Sequence, residues 1–329
     1  MRVVVIGAGI AGLAATLALA RVGHLVTLVE RDGEPPPPEP AQSFLDWNRP
    51  GVPQRRLVHG FLPLARQVLR ENVPDIVGRL FEAGAHDVDL LEPLRQRTVE
   101  PGDEELFVLR CRRTVFEWVL RRAVEDEPSA SIAAGEAVTG LRGEPGSGGR
   151  LPSVTGVHLR SGRLLQSALV VDSAGRQSPA GSWLEGIGAT APEEETRACN
   201  LIYYTRFYER PEDGFPVAHQ ANLGYAYAAA AGADGRAFSL TFFVRAEEPE
   251  LKRLSDEDAF ERAVAAVPGL APWRASPGRL NARSRLSAAS QVPKKPPTST
   301  ACSWSVSPPA RVMSSAIGVP TAASITLAA

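Results

Sequence analysis

The chain has 329 residues, enough for two or three domains, of which 44% are hydrophobic and 22% charged. Its formal net charge is −1 and its pI about 6.6, which removes any general electrostatic case for nucleic acid or an anionic membrane. Three cysteines (Cys111, Cys199 and Cys302) lie far apart without CxxC spacing, so no metal site or disulfide framework is expected, and a reducing cytoplasm is.

The first element is Val3-Val4-Val5-Ile6, a β-branched block of the kind that forms a buried parallel strand. GAGIAG follows (Gly7, Ala8, Gly9, Ile10, Ala11, Gly12), then an Ala/Leu-rich helix to Val22 closed by Gly23, then a second strand, Leu25–Val29, ending on Glu30. Eighteen uncharged residues from Val3 to Ala20 invite reading as a membrane span. The glycine break and the strand that follows instead predict a βαβ unit with no membrane span. In such a unit Gly7 permits the turn, Gly9 lets a pyrophosphate approach the backbone, and Gly12 lets helix and strand pack closely. The helix amides face the phosphates. Glu30 lies 18 residues past Gly12, where a carboxylate can accept from a ribose diol.

Residues 33–40 (GEPPPPEP) predict an extended surface loop, 54–72 a basic entry with His59 running into an amphipathic helix, and 72–85 a second helix capped by Gly84. RRTVFEWVLRRAVED (112–126) predicts an amphipathic helix with Phe116, Val119, Leu120 and Val124 buried. Arg112 and Arg113 at its start would ordinarily be solvated. Because the helix dipole does not favour cations there, they point to an anionic partner. Two or three strands follow in 137–171, and LVVDSAGRQSP (169–179) reads as a strand ending at Asp172. From Cys199 the pattern becomes long antiparallel strands (199–210, 223–232, 236–248) rich in Tyr and Phe, with turns at Asp213-Gly214 and Asp234-Gly235. For most of these aromatics, filling a sheet core is the simplest role. A helix over 255–267, N-capped by Ser255 with Asp258 at the box position, closes the region.

Together GAGIAG, Glu30-Arg31, the Arg113 helix and the Asp172 strand resemble the flavoprotein monooxygenases of the aromatic-hydroxylase and epoxidase type. The resemblance implies an α/β fold: a Rossmann-like FAD-binding domain interleaved with a mainly antiparallel β-sheet substrate domain. It also implies FAD as resident cofactor and NADH or NADPH as transient reductant. The expected boundaries are 1–198 for the FAD domain, interrupted by helical and hairpin insertions, and 199–278 for the substrate domain. By resemblance the cofactor residues are Gly7, Ala8, Gly9, Ala11, Gly12, Glu30, Arg31, Arg113 (flavin), Val138 (adenine) and Asp172 (pyrophosphate). Gln54, His59, Pro74 and Gly84 match a bacterial group of epoxidases and hydroxylases, which would bring Arg56 and His59 near the flavin. A lone His at a helix entrance is more often structural. Ser173 stands where the family usually has Gly, and Thr16 where a smaller residue is customary.

Residues 279–329 are different. They contain no Asp or Glu, and Ser, Thr, Ala and Pro supply 30 of 51 positions, so this low-complexity tail is expected to be disordered. The family's third FAD element, a Gly-Asp turn, belongs here; the only Gly-Asp in the chain is Gly102-Asp103. Among 36 basic residues only Lys252, Lys294 and Lys295 are lysine, a bias that fits a GC-rich gene and a frameshift near Leu280. The expected function is an NAD(P)H-dependent FAD monooxygenase of an apolar or aromatic small molecule, incompetent as written. The alternatives are a prenyl-type flavin reductase or a non-catalytic product of a damaged gene. Halogenation is set aside, because an early lysine and a WxWxIP stretch are missing from the sequence.

Overall fold

The computed structural model describes residues 1–91, 98, 100–144, 146, 151–192, 197–198, 200–211, 213–216, 218–224, 226–274, 278–279, 287–289 and 301–302. In chain order the elements are β1 (Arg2–Ile6), α1 (Ile10–Arg21), β2 (Leu25–Glu30), α2 (Ser43–Asp46), α3 (Pro63–Asn72), α4 (Pro74–Glu82), β3 (His86–Asp89), β4 (Phe107–Arg110) and α5 (Arg113–Glu125). Next come β5 (Ala130–Ala134), β6 (Val138–Glu144), β7 (Ser153–Leu159), β8 (Leu164–Gln166), β9 (Leu169–Asp172), α6 (Ala180–Gly186), β10 (Arg197–Ala198), β11 (Leu201–Glu209) and β12 (His219–Asn222). The last are β13 (Ala226–Gly232), β14 (Ala237–Arg245), α7 (Glu257–Ala266), α8 (Ala271–Arg274), β15 (Gly278–Arg279), β16 (Ser287–Ala289) and β17 (Ala301–Cys302).

These elements cluster into two compact units: residues 1–33, 127–199 and 294–329, and residues 34–126 and 200–293. The helical segment 34–126 thus groups with the antiparallel sheet. The expectation for 279–329 lies almost wholly outside the described residues, apart from the short strand backbones just given.

The first unit is built on a parallel sheet of order β5-β2-β1-β9. β1 is buried from Val3 to Ile6, as a strand covered on both faces must be. β5 has too little apolar bulk to signal itself in sequence; the parallel ladder from Val26↔Ala130 to Glu30↔Ala134 makes it a strand. An antiparallel sheet β6-β7-β8 packs on this one, with Val157 and Leu159 of β7 against Val4, Ile6 and Val29.

The second unit holds a sheet of order β12-β13-β14-β11-β15, with β16 also on β11. β11 and β14 pair over their full length, from Leu201↔Arg245 to Glu209↔Ala237. Strand alternation sorts the aromatics onto two faces. Tyr204, Tyr208, Phe238 and Phe242 are buried with Phe260, Leu270 and Trp273, as core. On the other face Tyr203, Phe243 and Tyr227 form a half-buried row across β11, β14 and β13, with edge-to-face ring contacts at 4.9 and 5.7 Å.

The N-cap of α7 is Asp256, whose side chain accepts from the Ala259 amide at 2.9 Å; Ser255 belongs to the preceding 3-10 turn. A cap needs its oxygen three residues ahead of a free amide, and Asp256 meets that while Ser255 stands one residue too early. α5 buries Phe116, Val119, Leu120 and Val124 as its periodicity requires. Trp118 and Arg122 of α5 donate to the Pro37 carbonyl at 2.7 and 3.1 Å, so the proline loop supplies acceptors to this helix.

Candidate functional site

In the first unit the glycine turn links the end of β1 to the start of α1. Gly7 sits at φ +93, and a Cβ there would meet the Ser173 carbonyl oxygen at 2.8 Å. A Cβ on Gly12 would lie 1.8 Å from the Gly7 carbonyl oxygen, so only glycine lets this helix turn close on the strand. Gly9 is the N-cap, in extended conformation, with no side-chain cap and no acidic residue in the first turn. The leading amides of α1 therefore face outward with the positive end of the helix dipole, which suits a phosphate. Thr16 is accommodated by donating its hydroxyl to the Gly12 carbonyl at 2.7 Å.

Glu30 is 6% exposed at the end of β2. Its Oε2 accepts from the Ala8 amide at 2.8 Å and its Oε1 from the Asp32 amide at 2.9 Å. It therefore ties the glycine turn to the chain leaving β2, a role its spacing did not reveal. Asp172 pairs with Ile6 in the ladder and accepts from the Ala174 amide at 3.0 Å and from the Ser178 hydroxyl. This keeps the Ser173–Ala174 backbone against Gly7. Val138 packs with the cluster of Ile6 and Val29, Ala11 lies in the first turn of α1, and Arg31 is exposed. These donors and glycines fit the ADP half of FAD.

In the second unit Arg112 and Arg113 are buried, not solvated, and each has a carboxylate partner. Arg112 donates through Nε and Nη2 to Asp234 in the β13–β14 turn, and its backbone amide reaches the same carboxylate at 2.6 Å. Arg113 donates Nε to Glu117 at 2.8 Å, and Glu117 also takes Arg49 at 3.2 Å. Arg113 Nη1 stands 3.4 Å from His59 Nε2. Because a guanidinium cannot accept, Nε2 carries the lone pair, and Nδ1–H donates to the Leu57 carbonyl at 2.9 Å. Burial, then Arg113, push the His59 pKa down to about 4, so this ring is neutral at pH 7. Arg56 donates Nε to the Phe44 carbonyl and Nη2 to the Leu45 carbonyl, at 2.9 and 3.0 Å. These bonds give Arg56 a role in holding α2.

Residues 2–43 match the family model described as FAD dependent oxidoreductase. Protein Rv3254 of Mycobacterium tuberculosis is 28% identical over 296 residues, which is 80% of this chain and 59% of that protein. The chain thus spans less than two thirds of that relative. Among solved structures, the probable FAD-dependent monooxygenase PqsL of Pseudomonas aeruginosa aligns with TM-score 0.56 and 15% identity, over 80% of this chain and 66% of that one. The myxobacterial halogenase CndH gives 0.55 and 17%, over 84% and 60%. p-Nitrophenol 4-monooxygenase PnpA of Pseudomonas putida gives 0.53 and 17%, over 82% and 63%. At these identities the likeness is one of fold. No described helix is long and apolar enough to cross a membrane, and no described group of His, Cys, Asp and Glu could hold a metal ion.

Proposed function

We propose that the chain is an NAD(P)H-dependent FAD monooxygenase, a hydroxylase or epoxidase acting on an apolar or aromatic small molecule. The observation that carries this reading is the glycine cradle with Glu30 bonded into it, on a fold shared with monooxygenases such as PqsL and PnpA. When bound, FAD supplies the electron transfer and oxygen activation. The backbone at Gly9 and the leading α1 amides would receive the pyrophosphate, with Asp172 holding the neighbouring turn. Glu30 takes the ribose diol; a carboxylate accepts up to about four hydrogen bonds, so this role is compatible with its hold on Ala8. Arg113 is the flavin contact that the family resemblance assigns, held by Glu117 and His59. His59 takes no proton at neutral pH and acts by orienting Arg113. The half-buried row Tyr203, Phe243 and Tyr227 is the candidate apolar lining for substrate.

The test is a fluorescence-quenching titration of the purified protein with FAD, then FAD-dependent oxidation of NADH and NADPH in an oxygen electrode. Saturable FAD binding with oxygen uptake is expected. Failure to bind FAD would remove the whole reading, while nicotinamide oxidation without oxygen uptake would point to the prenyl-type reductase.

A further inference from the structure

We propose that the first unit carries a second binding site, at the end of its parallel sheet away from the glycine cradle, and that this site takes a sugar phosphate.

The site is an open groove of about 480 Å³ beside the start of β1, whose lining includes Arg2, Arg142, Glu144, Thr155, Gln166 and Ser167. The cradle begins at Gly7, at the other end of β1. A strand rises about 3.3 Å per residue, which sets the two roughly 16 Å apart. Cofactors of open α/β sheets sit at the carboxyl ends of the strands, so a groove at the amino end of β1 stands apart from the proposed FAD seat.

Local folding brings two hydroxyls to this groove. In the β6–β7 ladder Arg142 pairs with Gly156 and Gly143 with Val154, which leaves Thr155 as the extra residue of a β-bulge. Bulges re-aim a side chain. A Cβ on Gly156 would meet the Leu165 carbonyl oxygen at 2.3 Å, so glycine there lets β8 close on β7. The chain leaving β8 is stitched across the groove wall: the Ser167 amide donates to the Thr155 carbonyl at 3.1 Å and the Ala168 amide to the Arg2 carbonyl at 2.9 Å. Ser167 is 8% exposed, and its Oγ and Thr155 Oγ1 are both buried with no hydrogen-bond partner among the described residues. A buried hydroxyl without a partner carries a cost that an arriving ligand oxygen removes.

The charged rim selects the ligand. Arg2 and Arg142 are exposed and hold no carboxylate among the described residues. Two guanidiniums and two hydroxyl donors match a phosphate monoester, whose three terminal oxygens take more donors than a carboxylate does. Glu144 is the third charge. It repels a bare anion but accepts from hydroxyls, while the Gln166 amide both donates and accepts, so the body behind the phosphate is a polyol. No aromatic side chain lines the groove, so a nucleobase has nothing to stack on, which favours a sugar phosphate over a nucleotide.

The experiment is calorimetric titration of the full chain with glucose 6-phosphate, glucose, inorganic phosphate and AMP. It is repeated on Ser167→Ala and Arg142→Met, with FAD binding and melting temperature measured on each protein. Glucose 6-phosphate should bind at least about tenfold tighter than glucose or inorganic phosphate, and at least about threefold tighter than AMP. Arg142→Met should lose about tenfold or more in glucose 6-phosphate affinity and Ser167→Ala about fivefold, since a neutral donor contributes less than a charged one. Neither variant should lose FAD affinity or melt lower, because the deleted groups have no partner in the free protein. No glucose 6-phosphate binding up to about 10 mM, AMP or inorganic phosphate binding as tightly, or variants that bind it normally would each overturn the proposal. A fall in FAD affinity in parallel with glucose 6-phosphate affinity would mean a single site and would overturn it too.

Discussion

Replacing Glu30 separates two roles that its sequence position cannot distinguish. The carboxylate accepts from Ala8 and Asp32 at 2.8 and 2.9 Å, and Ala8 is fully buried. Hydrogen bonds to a charged acceptor are worth about 1.5–3 kcal/mol each, so Glu30→Ala removes roughly 3–6 kcal/mol of gross interaction and strands a buried amide. Relaxation of the turn and water entry reduce the net loss, and about 2–3 kcal/mol is the expected cost. Glu30→Gln keeps the shape but has one oxygen where two amides need acceptors, so it should lose about half as much. The assay is amide hydrogen exchange at Ala8 in the apoprotein, together with FAD titration. Ala8 should exchange at least about tenfold faster in Glu30→Ala, with a smaller acceleration in Glu30→Gln, and FAD affinity should fall at least about tenfold. If Ala8 exchange is unchanged while FAD affinity falls, Glu30 serves the ribose alone and the latch argument fails.

Other consequences can be checked on the same protein. His59 has a folded pKa of about 4 against 6.5 for the free side chain, so the unfolded chain binds the extra proton first as pH falls. This stabilising contribution is complete above about pH 6.5 and is lost progressively down to about 4, up to roughly 3 kcal/mol; urea titrations of His59→Gln should show a shallower slope in that window. Gly12→Ala should disrupt the cradle, since its Cβ would fall 1.8 Å from the Gly7 oxygen, at a cost of about 1–3 kcal/mol and at least tenfold in FAD affinity. Gly78→Ala in α4, where nothing lies within 4 Å, should instead raise thermal stability by about 0.5–1 kcal/mol; a loss there would count against the local geometry. Asp234→Asn should lower stability by about 3–5 kcal/mol, because Arg112 and Asp234 are each 4% exposed; a melting temperature within a degree or two of wild type would contradict a buried ion pair.

The glycine cradle was legible in the sequence because each of its signals is local. A β-branched block, three glycines, an Ala/Leu helix and an acid 18 residues past Gly12 are read within one span of about thirty residues. The stripe of α5 and the long strands β11, β13 and β14 were legible for the same reason, since periodicity is carried by near neighbours. The partner of Arg112 was not, nor was the second arginine on Glu117, although Arg113 and Glu117 stand at the readable i,i+4 spacing. Arg112 meets Asp234 across 122 residues and Glu117 meets Arg49 across 68, and charges that distant leave no spacing to read. Chain folding also turned Arg56 onto the carbonyls of α2 and set His59 beside Arg113 as a neutral acceptor. Local chemistry therefore determined which segments form the glycine cradle, while tertiary packing decided which charges are answered, because burial and long-range pairing depend on neighbours that only the folded chain brings together.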